Sequence, residues 1–491
     1  MDEMTYQGVT YQTSNIGSYR NPDPSALSVK SSHNFSSTRR EQGVTYVDPF
    51  MVEAFQAYPF GYDFAPLEGW SRSHYTTEGH LESIFKMQSH VRFSKPRDFA
   101  MAETDEYCYQ YFERLGKINS LDFKTQLKLV PIEPSSSAGI GIPGRKGDDG
   151  NLDRAIRQAN ATINTCLRDG IQTVIEQSTP DMAYTRTQLT ELSNGIKVRN
   201  VFGEAFQYIL IEGCSAAPLM DFFVHHNTFF FVGTDPKVGV PILLEEYKRS
   251  CDKLISIDWS SFDTSVEDWE IIDSFNLIEM MLNFPNIESR AAFEFSRVFF
   301  INRKIAAPDG NVYMKHNSVP SGSFFTMLID SIINWRRILY LHYKAYGYFP
   351  KHISTQGDDS LIATREEVTP EGIELQIPMT SKWVFNPSKS PQGKSGASVP
   401  FLQRTLKWGD QSRDVTRAER LAIYPEYEIT DPQISSYRAR AIWEDSNYES
   451  NVLAFATEYL ERKYGVPVTV PKQFHRFTRY SYESRERANE R

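Results

Sequence analysis

The sequence predicts an α+β chain of two to four packed lobes, and three observations carry that reading. At 491 residues the chain is too long for one compact core. Between residues 250 and 410, short apolar runs of β type alternate tightly with helical patterns. Hydrophobic residues at 40% and aromatics at 13% supply enough apolar surface for several cores.

Taken in order, residues 1–45 are rich in Ser, Thr, Asn, Tyr and Gly and predict an extended or partly disordered arm. The pentapeptide QGVTY occurs from Gln7 and again from Gln42, too few copies for a stacked repeat. Helical patterns fall near 81–91 and 106–117, a Pro/Gly/Ser loop at 131–150 and a long helix at 152–177. Residues 197–240 read as largely extended or irregular. The last 80 or so residues lean to helix and end in RFTRYSYESRERANER, a solvated end rather than a binding arm.

The four cysteines have no CxxC spacing, so neither a zinc site nor a disulfide framework is expected, and a reducing, intracellular setting is. The start MDEMTYQGVTYQ lacks the features of a signal peptide, and no run of 18 apolar residues predicts a membrane anchor. The formal charge of −9 argues against non-specific nucleic-acid binding. A nucleic-acid enzyme of this balance must gather its cations in a channel.

The candidate chemistry begins in KLISIDWSSFD, residues 253–263, where Asp258 ends a short strand and Asp263 starts an acidic helical segment. A carboxylate ending a buried strand is costly unless a cation meets it. For Asp263 alone, a first-turn helix acid is the simpler reading. In HISTQGDDSLIA, residues 352–363, two apolar runs flank a hairpin turn with Asp358 and Asp359 at its tip. Adjacent carboxylates repel by about 4 kcal/mol at an effective dielectric near 20. A hard Mg²⁺ ion would relieve this. A second Gly-Asp-Asp, at 147–149, lies in a polar loop without flanking strands and reads as a turn; the GxGxxG at Gly139, Gly141 and Gly144 lacks the following helix of a dinucleotide site.

Between them, Pro320-Ser321-Gly322-Ser323 forms a flexible turn before a helix. Thr326, Asp330, Asn334 and Arg337 lie on one side of that helix, opposite its apolar face. Alone, this stripe is as readily a solvated face as a set of ribose or phosphate ligands.

These segments resemble the palm motifs of viral RNA-dependent RNA polymerases, in the same order. DWSSFD is similar to motif A, PSGSFFT…N to motif B and QGDDS to motif C. FNPSKS (385–390) is similar to motif D, PFLQRTLKW (400–408) to motif E, residues 186–203 to the basic motif F, and SSSAG (135–139) to motif G. The wording is nearest the partitivirus group of double-stranded RNA viruses, with picobirnaviruses next. Where many positive-strand enzymes have Asn nine residues after the motif B Ser, this chain has Asp330, with Asn334 one turn later.

The resemblance implies a right-hand fold of fingers, palm and thumb: an arm at 1–45, mainly fingers with an N-terminal bridging segment at 46–250, palm at 251–400 with a fingers insertion near 285–315, and thumb and tail at 401–491. It implies nucleotidyl transfer from NTPs to an RNA 3′-OH with two Mg²⁺ ions, Mn²⁺ being able to substitute. Asp258, Asp358 and Asp359 would hold the metal, and Lys389 would protonate pyrophosphate. Asp263, Ser321, Gly322, Thr326, Asp330, Asn334, Arg186, Lys197 and Arg199 would bind the NTP; Ser136, Ser137 and Gly322 would touch template.

Implied partners are RNA template and product, NTPs and viral capsid protein, with the chain a monomer in host cytoplasm, within viral particles. The alternatives are a reverse transcriptase, against which Gly357 argues because those enzymes generally carry an aromatic there, and a non-catalytic viral RNA-binding protein.

Overall fold

The computed structural model describes residues 3–6, 9–12, 14–22, 27–35, 40–88, 91–394, 396 and 398–477. The charged tail from residue 478 onward lies outside the described residues, as do Gln7 and Gly8 of the first pentapeptide.

A four-stranded antiparallel sheet runs in the order His352–Gln356, Asp359–Thr364, Lys253–Ile255, Gln392–Gly393. Strand alternation gives it two buried faces. Ile255, Ile353 and Ile362 pack into the core that includes the helix Thr326–Tyr346. Leu254, Leu361 and Ala363 point the other way, into a core with the helix Pro236–Ser250. A sheet covered on both faces leaves the chain only its strand ends at which to expose polar groups.

A second sheet has five strands, in the order Leu27–Ser32, Asn311–Lys315, Arg303–Ala306, Asp181–Thr187, Val198–Gly203. The arm over 1–45, expected to be extended or partly disordered, is extended at Leu27–Ser32 and ordered there by a sheet. Leu27–Ser32 pairs antiparallel with Asn311–Lys315, burying Leu27 and Ser28 and exposing the rest. That pairing is non-local, so local composition did not disclose it.

Residues 197–240 also differ from expectation. After Val198–Gly203 the chain forms the helices Phe206–His225 and Pro236–Ser250. Twelve of the twenty residues of Phe206–His225 are buried, on more than one face, so no apolar stripe marked it as a helix. Gly213 lies so close to Val130 that an added Cβ would come within 2.3 Å of its Cγ1. The long helix expected over 152–177 is two, Asn151–Asp169 and Ile171–Glu176, broken where Gly170 takes φ +87°.

The helix Pro49–Gln56 packs far from its sequence neighbours, with Val415–Ile423, Pro432–Asp445 and Asn451–Tyr464. Met51, Phe55, Leu421, Leu453 and Leu460 share one core there. Asp48 is fully buried, caps the helix through Met51 N at 3.1 Å, and accepts from Ser435 Oγ at 2.7 Å and from Arg438.

A buried ionic knot ties the five-stranded sheet to the rest. Arg303, with no solvent exposure, meets Asp181 at 3.0 Å, Glu204 at 3.3 Å and also Glu212. Lys315 donates instead to the carbonyls of Phe300, Ile301, Asn317 and Ser318. One guanidinium therefore faces three carboxyls. Desolvation pushes Glu204 well above the usual carboxylate range, with the neighbouring Glu212 and Asp181 charges adding to it and Arg303 opposing it. A carboxyl whose folded-state pKa is raised stabilises the fold fully below its unfolded pKa and loses that contribution as pH rises through the folded value. Glu204→Gln, which fixes the neutral form, is therefore expected to melt above the parent at pH 8.5, with the gap closing towards pH 5. Arg303→Met leaves the carboxyls uncompensated and is expected to cost about 3–5 kcal/mol in thermal unfolding.

Candidate active site

The hairpin tip is a two-residue turn. Gln356 pairs with Asp359, leaving Gly357 and Asp358 as central residues, and Gly357 takes φ +63° as the first position of a II′-type turn requires. Asp358 thus sits in the turn and Asp359 opens the returning strand. On the adjacent strand Ile255 pairs with Ile362, and continuing that register brings Asp258 across from Asp359. The chains still run side by side one residue earlier, where Ile257 N donates to Ser360 Oγ at 3.3 Å.

All three carboxylates reach solvent. Protein nevertheless walls in Asp358 and Asp359 on most sides, which thins their hydration. Asp358 is raised above the usual range by this desolvation first, then by Asp263 and Asp258, with Arg199 opposing. Asp359 is pushed to about 7 by desolvation, then by Asp358 and Asp258. Among the described residues no three His, Cys, Asp or Glu side chains are gathered closely enough to form a ready-made ion site. The chemistry nonetheless fits a hard divalent ion. Asp258 and Asp359 have no ion-pair partner among the described residues, and the charges repel across a solvent-facing opening.

The helix Thr326–Tyr346 holds this tip in place. Asn334 is fully buried; its Oδ1 accepts from Trp259 Nε1 at 2.8 Å, and its amide donates to the carbonyls of Gly357 (2.9 Å) and Asp359 (3.2 Å). Ser331 Oγ accepts from Gly357 N at 2.9 Å, and Thr355 Oγ1 donates to Ser331 O. Arg337 forms a buried pair with Glu270 at 2.7 Å, enclosed by Trp259, Phe262 and Trp383. The stripe is therefore not a solvated face. Asn334 is a clamp joining the Asp258 segment to the Asp358 turn, with both amide hydrogens used, so it has none for a ribose. Thr326 Oγ1 likewise donates to Pro320 O at 2.8 Å.

Asp263 sits in the first turn of the short helix Phe262–Ser265, as its simpler reading expected. Its Oδ2 also accepts from Ser321 Oγ at 2.5 Å and Arg199 Nη2 at 2.9 Å. Asp330 points to the same cluster from the long helix. It is buried, its Oδ1 has no hydrogen-bond partner among the described residues, and burial followed by Asp263 and Asp358 raises its pKa well above normal. Gly322 has φ +129°, and a Cβ there would meet Phe202 O at 2.3 Å, so only glycine lets this loop lie against the strand Val198–Gly203.

The cations come from that strand pair. Arg186 and Arg199 are direct cross-strand partners. Arg199 is held more firmly protonated by Asp263, with smaller help from Asp358 and Asp330. A cavity of about 330 Å³ is lined by Lys197, Arg199, Asp263, Ser321 and Asp358, and also by Lys86. Arg186, Asp258 and Asp359 are not among its lining residues.

Lys389 is exposed beside Ser390, whose Oγ accepts from Asp258 N at 3.4 Å. Lys382 pairs with Glu267 and Lys394 with Glu366, whereas Lys389 has no ion pair among the described residues. Ser136 donates to Glu133 O and Ser137 accepts from Tyr184 of the strand Asp181–Thr187; neither lines the cavity. Sequence reasoning missed Ser331 and Lys86, for neither carries a local pattern.

The viral RNA-dependent RNA polymerase family matches residues 51–460 of this chain. The chain belongs to that family. It is 29% identical over 101 residues, 21% of its length, to the RNA-directed RNA polymerase of Cryptosporidium parvum virus 1 (strain KSU-1), and this match spans 19% of that protein. It superposes on the sicinivirus RNA-dependent RNA polymerase with a TM-score of 0.68 at 12% identity, covering 93% of this chain and 98% of the other. That likeness shows the right-hand polymerase fold; the finer partitivirus and picobirnavirus resemblance is not reached by these matches.

The crowded carboxylates give a measurable signature. Because the folded-state pKa of Asp359 lies above its unfolded value, its ionisation destabilises the metal-free fold as pH rises from about 4 through about 7. Asp359→Asn is expected to melt above the parent at pH 8 in EDTA, with no difference near pH 4, and Mg²⁺ is expected to narrow the gap by stabilising the parent.

Proposed function

We propose that this chain synthesises RNA on an RNA template, transferring nucleotides from NTPs to a 3′-OH with release of pyrophosphate. The observation that carries the proposal is the register that sets Asp258 across from Asp359, beside the Asp358 turn, where Asp358 itself lines a cavity shared with Lys197 and Arg199. Asp258, Asp358 and Asp359 would hold Mg²⁺, with Mn²⁺ able to replace it. When bound, two such ions supply positive charge to the attacking and leaving oxygens.

The chain's own groups do the rest. Lys197 and Arg199 neutralise the triphosphate, with Arg186 beside Arg199 across the strand pair. Asp263 and Ser321 face the incoming ribose, Asp263 Oδ2 accepting from the 2′-OH, and Asp330, buried behind them, adds a neutral carboxyl to the same cluster. Lys389 gives a proton to pyrophosphate. Ser136 and Ser137 lie on the template side. The lobes follow as fingers around the five-stranded sheet, palm at the four-stranded sheet and thumb in the C-terminal helices. The genome served is that of a partitivirus-like double-stranded RNA virus, with capsid protein as partner. Gly357 at the turn disfavours the reverse transcriptase reading, and the crowded carboxylates disfavour a non-catalytic RNA binder.

Purified protein given an RNA template and labelled NTPs is expected to incorporate label with Mg²⁺ or Mn²⁺ and not with EDTA or dNTPs. Asp358→Asn is expected to lower incorporation at least about 1000-fold while leaving the far-UV spectrum unchanged. Incorporation by that variant at the parental rate would remove the site from the reaction.

A further inference from the structure

The cavity wall holds a third cation that no motif accounts for. Lys86 follows the last residue of the helix Thr77–Phe85, more than 100 residues before Lys197 and Arg199, yet all three line the same cavity as Asp263 and Ser321.

Its placement is built, not incidental. The helix Thr77–Phe85 is bolted to the strand Val198–Gly203 at several points. His80 Nε2 meets Asn200 Oδ1 at 2.9 Å, and Asn200 N donates to Ser83 Oγ at 3.0 Å. Gly79 lies where a Cβ would touch Val198 Cγ2 at 3.4 Å. Ile84 and Met87, on either side of Lys86 in sequence, are buried in the core that contains Phe202. The backbone carrying Lys86 is thus held in fixed relation to the backbone carrying Arg199.

The Lys86 side chain itself is exposed and has no ion pair among the described residues. Glu82, one turn earlier, also lines the cavity without pairing with it. A lysine that shares one cavity with two other cations and with Asp263 suits a phosphate oxygen as a compact point charge.

We infer that Lys86 binds the triphosphate of the incoming nucleotide as a third cation beside Lys197 and Arg199. This deepens the proposed function and rests on it. The triphosphate is favoured over the RNA backbone because Lys86 shares one cavity with Asp263 and Ser321, the groups assigned to the ribose of that same nucleotide.

The test is single-nucleotide incorporation on a primed RNA template by the full chain, with Lys86→Ala and Lys86→Arg. Lys86→Ala is expected to raise KM for NTP about tenfold with kcat changed less than about twofold, and Lys86→Arg to recover most of the loss. Inorganic tripolyphosphate, as competitor, is expected to inhibit Lys86→Ala more weakly by a similar factor. Template affinity, measured by fluorescence anisotropy over a salt series, is expected to stay unchanged. An unaltered KM in an active enzyme overturns the inference, as does a loss in template affinity with a salt slope reduced by about one, which marks a backbone-phosphate contact. No incorporation by the parent enzyme defeats the proposed function instead, and tripolyphosphate binding by parent and Lys86→Ala, followed by calorimetry, then decides the Lys86 assignment separately.

Discussion

The arrangement of the site depends on one side-chain amide. Asn334 joins two segments that are 100 residues apart at their aspartates, holding Trp259 on one side and the Gly357–Asp359 backbone on the other. Sheet pairing alone would leave the turn free to rock about its hinge, since Asp358 lies beyond the last paired residues. With Ser331 receiving Gly357 N, the turn is fastened from beneath by a helix that is buried along most of its length. Arg337 then immobilises the segment after Asp258 through Glu270 and a cage of three aromatic rings. The carboxylates stay near one another despite their repulsion because buried hydrogen bonds, packing and the Arg337–Glu270 pair hold their backbones.

Charge is distributed to match. The chain is acidic overall, yet its site alternates sign over short distances: Asp263 between Ser321 and Arg199, Asp358 within the field of both, Asp330 buried behind them. Arg199 offsets part of the carboxylate repulsion and is in turn held protonated by it. Net charge said little about binding because the relevant cations sit on one strand pair and one helix end.

Much of this was legible in the sequence because it was local. The setting of Asp358 and Asp359 between apolar runs marked a hairpin, and the other Gly-Asp-Asp was told apart by lacking such runs; there Asp148 closes a turn on Arg145 N at 2.7 Å. Gly139 of the false dinucleotide pattern packs against Ala205 and helps start the helix Phe206–His225, whose first N–H donates to Ala138 O. What stayed hidden was non-local. A helix buried on several faces shows no stripe, and an edge strand at 27–32 is defined by a partner nearly 300 residues away. Asn334 was read as a ligand because a polar residue one turn from Asp330 looks the same in sequence whether it meets substrate or backbone. Only the position of the 357–359 carbonyls separates the two.

The cap on the helix Pro49–Gln56 bears on how the molecule is made. Asp48 is buried against Arg438, 390 residues later, and the aromatic and aliphatic side chains of that helix share a core with the helices between 415 and 464. At ribosomal speeds this interval takes about 20–80 s to emerge. Throughout it, the apolar face around Met51 and Phe55 is synthesised but unsheltered, while the intervening sheets have already appeared. The helix Pro49–Gln56 therefore cannot reach its place until the chain beyond residue 415 has been made, and a nascent chain halted short of that point would carry that greasy face as a handle for chaperones.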